Sequence, residues 1–149
     1  MELITKLFDM DLSALVPEIS KFFGTLRAVL VLAVLAGPIL LLVLGWMYLY
    51  KPAPEANFKY GFRTYYGMGS IEAWRFSQRM AGLAFGGLGA LLFLAMFIVV
   101  LTFIGKDLFQ IATTSIICLI IQAVLVLIAR TAIAIMCRVY FDKDGNHRR

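Results

Sequence analysis

Three stretches of this chain carry no charged residue: Ala28 to Tyr50, Met80 to Gly105 and Leu108 to Ala129. Each meets the roughly 20 residues that a helix needs to cross a hydrocarbon core about 30 Å thick. A backbone inside lipid must satisfy its own hydrogen bonds, and a helix does so within one segment. With 149 residues, 62% of them hydrophobic, the chain also has too little polar surface to cover a soluble domain of this size. The expected fold is an all-α integral membrane protein with three transmembrane helices, an N-terminal interfacial helix and a structured loop between the first and second spans.

Three crossings place the N-terminus and the short turn from Gly105 to Gln110 on one side of the membrane. The segment between the first two spans and the C-terminus then share the other side. Ten of the 14 Lys and Arg residues fall on that second side, against four of the nine acidic ones. Loops rich in Lys and Arg stay in the cytoplasm, so the long loop and the C-terminus are expected there. The chain opens with Glu2 rather than a basic region, and its first long apolar run begins at Ala28, so a retained anchor is expected instead of a cleaved leader. Cys118 and Cys137 fall on one expected helix, too far apart along it to form a disulfide.

Residues 1–26 read as an amphipathic interfacial segment. Leu3, Leu7 and Met10 share one helical face; Leu12, Leu15, Ile19, Phe22 and Phe23 form another stripe, and Pro17 between them is expected to end or kink a helix. The membrane domain follows over 27–141. Gly37 and Pro38 lie mid-span in its first helix, where a kink is expected, and Trp46, Tyr48 and Tyr50 form an aromatic belt at its end. In the third span, Gln110, Thr113, Thr114, Ser115 and Gln122 are polar groups expected to bond a neighbouring helix or their own backbone. Residues 142–149 read as a polar, solvated tail. Asp142, Asp144 and Asn146 have the spacing that opens a calcium loop, but the remainder of such a loop is missing.

The chemistry concentrates in residues 57–82. Pro52 and Pro54 break the first helix, and the loop after them is too aromatic and glycine-rich to be left in water. Ser70 suits the cap of a second helix, with Glu72 in its first turn. On that helix Ile71, Trp74, Gln78, Gly82 and Phe85 recur at three- and four-residue steps and share a face. Gly82, Gly86 and Ala90, spaced by four, would let a second backbone approach, either within the chain or in a homo-oligomer. Arg63 offers a permanently charged planar fork suited to a phosphate or carboxylate. Asn57, Thr64 and Gln78 add uncharged hydrogen-bonding groups, forming either a polar pocket lidded by Trp74 or a self-satisfied network that closes the loop. Gly61 and Gly67 serve the backbone rather than the chemistry.

These residues also carry a resemblance. Asn57, the run Tyr60, Gly61, Phe62, Arg63 and Thr64, then Met68, Glu72, Ala73 and Trp74, with Gln78 and Gly82 behind, resemble the signature of the SdpI family of small bacterial membrane proteins. The close of the chain, Phe141 to Asn146, is similar to that of short members; Tyr65, Tyr66 and Gly67 depart from the usual loop. The resemblance implies a bacterial plasma-membrane protein giving immunity to a secreted killing peptide, with a toxin peptide or a transcriptional repressor as partner. It implies a binding role for Asn57, Tyr60, Gly61, Arg63, Thr64, Trp74 and Gln78.

No catalytic constellation accompanies the signature. The single histidine, His147, is in the tail, both cysteines are on the third helix, and Glu72 stands at a helix start. No metal-ligand spacing or phosphate-binding glycine loop is present, so no cofactor is expected. The basic surface needs no nucleic acid, because anionic lipid accounts for it. Two other readings stay open: a lipid-binding or lipid-modifying protein with Arg63 on a lipid phosphate, and a small oligomeric transporter moving about Pro38 and the glycine face.

Overall fold

A computed structural model describes residues 12–56 and 60–148, with side chains from Ser20 onward. The stripes expected over residues 1–19 and the site residue Asn57 lie outside the described backbone or side chains. Helix α1 spans Leu12–Tyr50, α2 Ile71–Leu101 and α3 Leu108–Tyr140, with one 3₁₀ turn at Tyr66–Met68. Pro17 lies within α1 and does not end it.

Segments Ser20–Tyr50, Ile71–Leu101 and Leu108–Tyr140 are long and apolar enough to cross a membrane. Only 22% of each most apolar window is buried inside the protein. Leu32, Leu40, Leu91, Ile98 and Ile120 all point outward, where water would penalise them and lipid does not. The three-span expectation holds.

Helices α1 and α2 make the most extensive contact, and glycine is the reason. A Cβ on Gly45 would stand 2.5 Å from the Gly86 nitrogen, and one on Gly89 would stand 2.9 Å from the Leu42 nitrogen. One on Gly82 would meet Leu49 Cγ at 2.6 Å. The glycine face therefore packs on α1 within the chain. Its register is Gly82, Gly86 and Gly89; Ala90 is exposed, pointing away from the contact. The helix turns by about 100° per residue, so at this crossing position 89, not 90, follows the contact line.

Helix α3 is tied to α1 through a proline. Pro38 has no N–H, which leaves the Val34 carbonyl without its donor one turn below. The buried Gln122 side chain supplies one, Nε2 donating to Val34 O at 3.0 Å. Gly37 makes room for it, since a Cβ there would collide with Gln122 Oε1. The Thr113 and Thr114 hydroxyls donate to the carbonyls of Phe109 and Gln110 in their own helix. The buried Ser115 hydroxyl has no partner among the described residues.

At one end of the bundle, Arg27 of α1 donates to the Lys106 carbonyl in the α2–α3 turn. At the other end, the polar tail expected over 142–149 is largely exposed over its described residues, but it is folded rather than loose. Residues 141–148 form a small hairpin bridged between Phe141 and His147. Asp142 accepts from the Asp144 and Asn146 amides at 3.0 and 2.8 Å, and Gly145 turns with φ +77°. The hairpin docks on the start of α2, where the Ser70 hydroxyl donates to Gly145 O at 2.8 Å. Phe141 is buried beneath it against Phe76.

Candidate functional site

The segment between α1 and α2 is held by side chains of α2. Ser70 caps that helix as expected, accepting from the Ala73 amide at 3.1 Å. One turn on, the fully buried Trp74 donates its indole N–H to Ala53 O at 2.8 Å, pinning the residue between the two prolines. Another turn on, Gln78 faces the backbone of Phe62. Its Nε2 donates to Phe62 O at 2.8 Å and its Oε1 accepts from Phe62 N at 2.9 Å, as a neighbouring strand would.

Gly61 makes this approach feasible. Its φ is +117°, and a Cβ there would sit 2.6 Å from the Trp74 ring. Phe62 then inserts between Tyr48 of α1 and Phe85 of α2, at centroid distances of 6.4 and 5.5 Å. Thr64 closes the next turn, its hydroxyl accepting from the Gly67 amide at 3.0 Å. A Cβ on Gly67 would collide with that hydroxyl.

The sequence-level site therefore divides in two. Gly61, Thr64, Trp74 and Gln78 form a self-satisfied network that closes the loop; they are buried or half-buried and have their partners within the chain. Tyr60 and Arg63 are exposed. Gly82 and Gly86 belong to the helix contact, and Ala90 to neither group.

Arg63 opens onto a cleft of about 400 Å³ between the loop and α3. Arg130 and Arg138 line it too, with Thr64, Tyr65, Tyr66, Thr131, Ala134 and Ile135. No carboxylate is among the described residues that line it. Arg148 of the hairpin lies over the Tyr66 ring, 5.9 Å from its centroid. The sequence places Arg130 and Arg138 on the same side as the loop but does not bring them to Arg63. Their assembly with Arg63 depends on a loop some 70 positions earlier, and the only signal in the sequence was the excess of basic residues on this side.

The model of the SdpI/YfhL protein family matches residues 55–135. The chain belongs to this family. The match takes in Trp74, Gln78, Phe62, Arg63 and Arg130 but stops short of Ala53, so the 60–69 loop and one wall of the cleft belong to the SdpI/YfhL region. It is narrower than the resemblance, since α1 up to Tyr50 and the hairpin lie outside it. No curated protein and no solved structure matches the chain.

Proposed function

We propose that this protein is a membrane immunity protein, protecting its cell from a secreted killing peptide through the face that carries the 60–69 loop. Membership of the SdpI/YfhL family supports the reading, because the resemblance to SdpI members implies an immunity role. The observation that carries it is the division of the signature: one half locks the loop, and the other half holds Arg63 outward beside Arg130 and Arg138. A loop this heavily tied down, at a membrane face, suits recognition of a partner rather than turnover of a substrate. The charge distribution favours this face in the cytoplasm, and the family resemblance implies the plasma membrane. A transcriptional repressor held at the membrane would meet the same face.

The test is survival of a toxin-sensitive bacterial strain expressing wild type or Arg63→Ala, challenged with secreted killing peptides, with membrane levels of both proteins checked. Protection by wild type alone at equal levels is the expected result. Equal protection by both would remove Arg63 from the site, and no protection by either against any peptide would sink the immunity reading.

A further inference from the structure

The C-terminal hairpin and the end of the 60–69 loop meet backbone to backbone. A Cβ on Gly69 would stand 2.7 Å from the Gly145 nitrogen, and one on Gly145 would collide with the Ser70 nitrogen and stand 2.6 Å from the Gly69 carbonyl carbon. The Ser70 hydroxyl bridges the two segments, accepting from the Ala73 amide and donating to Gly145 O. Arg148 adds a second point of contact over the Tyr66 ring. The turn has few bonds of its own: Gly67 N–H to the Thr64 hydroxyl at 3.0 Å, Met68 N–H to Thr64 O at 3.2 Å, and Gly69 N–H to Tyr66 O at a long 3.5 Å. On its other side Gly67 rests on Ser77, so the turn is clasped between α2 and the hairpin.

We infer that the hairpin is a latch: residues 141–148 and the turn over 66–70 open and close as one cooperative unit, apart from the lock made by Trp74 and Gln78. Two glycine backbones in contact have no flexible side chain between them to absorb a shift, so a displacement of one is passed to the other. The lock bonds run instead to Ala53 and Phe62, and neither residue is bonded to the hairpin. Proteins open locally in contiguous units of this size, and coupling between two segments acts equally in both directions. The far end of the 60–69 loop, with Tyr65 and Tyr66, thus takes its placement from the last residues of the chain. The inference goes beyond the immunity reading and does not rest on it, since it concerns the purified protein with no toxin present.

The experiment is hydrogen exchange of backbone amides, followed by NMR on the full chain in micelles. Ser70→Asp keeps an acceptor at the helix cap but loses the donor to Gly145, and should speed exchange about fivefold at Asp144 and Asn146 and equally at Gly67 and Met68. Gly145→Ala puts alanine at a φ of +77° against the Ser70 nitrogen and should speed the same four amides about tenfold or more. Ser70→Thr retains the hydroxyl and should behave as wild type. In the reverse direction, Gly67→Ala drives a methyl group into the Thr64 hydroxyl and should speed Asp144 and Asn146. The Phe62 amide, held by Gln78, should keep its wild-type rate in all four variants. Faster hairpin amides with an unchanged Gly67 and Met68 would make the hairpin a passenger and overturn the inference. So would a Phe62 amide that speeds up as much as the rest, which is general loosening, or a hairpin indifferent to Gly67→Ala. Unchanged rates in both Ser70→Asp and Gly145→Ala would show that the contact holds nothing and would overturn it too.

Discussion

Gln122 and Pro38 are complementary across the bilayer interior: the proline strips the Val34 carbonyl of its helical donor, and the glutamine restores one from another helix. Such a pair does two jobs with one bond, satisfying α1 and fixing the register of α3 against it.

Gln122→Leu should lower the thermal stability of the protein in micelles by about 1 kcal/mol, the scale of interhelical hydrogen bonds in membranes. In a Pro38→Ala background the cost should largely vanish, because an alanine at that position supplies its own N–H to Val34. A double-mutant cycle measures this directly; equal costs in both backgrounds would show that the two residues are not coupled.

The helix contact should respond asymmetrically to the smallest possible enlargement. Gly45→Ala pushes a methyl group into the Gly86 backbone at 2.5 Å, and backbone cannot rotate away. A loss of about 1–3 kcal/mol is expected, as for overpacked cores. Gly86→Ala meets Gly45 Cα only at 3.9 Å and should be tolerated. Ala90→Leu faces outward and should shift stability by less than about 0.5 kcal/mol. Unfolding of the three variants in one detergent ranks them.

The loop lock has two separable parts. Gly61→Ala forces an unfavourable φ costing about 1–3 kcal/mol in backbone strain alone, and adds a collision with Trp74. Gln78→Leu leaves the Phe62 N–H and C=O both unpaired in a buried place, at about 1–3 kcal/mol for each group. Both variants should expose Trp74 to quenchers, which fluorescence detects in a Trp46→Phe background. A Trp74 that stays protected in Gln78→Leu would show that the aromatic packing of Phe62 holds the loop unaided.

Acid should loosen the C-terminal hairpin. Amide donors from Asn146 and Asp144, with Arg148 nearby, hold the Asp142 carboxyl below its ordinary value. A depressed carboxylate contributes stability that is complete above its unfolded value and is lost as pH falls through the folded one. The hairpin should therefore be insensitive to pH near neutrality and weaken only below about pH 4. Asp142→Asn should flatten that response. Exchange rates of the Asp144 and Asn146 amides, followed by NMR against pH, are the measurement.

The spans were legible because lipid imposes a single rule, absence of charge, on every position of a window. Ser70 was legible too, since capping is local. The contact register was not: a spacing of four fits Gly82, Gly86 and Ala90, but the partner glycine, Gly45, decides that Gly89 takes the last place. Thr64 and Gln78 looked equally suited to a ligand or to the backbone, and only the positions of Gly67 and Phe62 separate the two roles. The hairpin escaped notice because its side chains are polar. What docks it is the turn of Gly145, where a Cβ would collide with the Ser70 nitrogen.

That docking joins positions 75 residues apart, the cap of α2 and nearly the last turn of the chain. During synthesis α2 is complete long before Gly145 leaves the ribosome, so the contact of the hairpin with the cap of α2 forms later than the loop lock. A chain released after α3 but before Gly145 would carry all three spans and lack the contact on the cap of α2. A reporter inserted after Arg148 would sit near the start of α2, whereas one placed ahead of α1 would lie toward the Arg27–Lys106 end of the bundle.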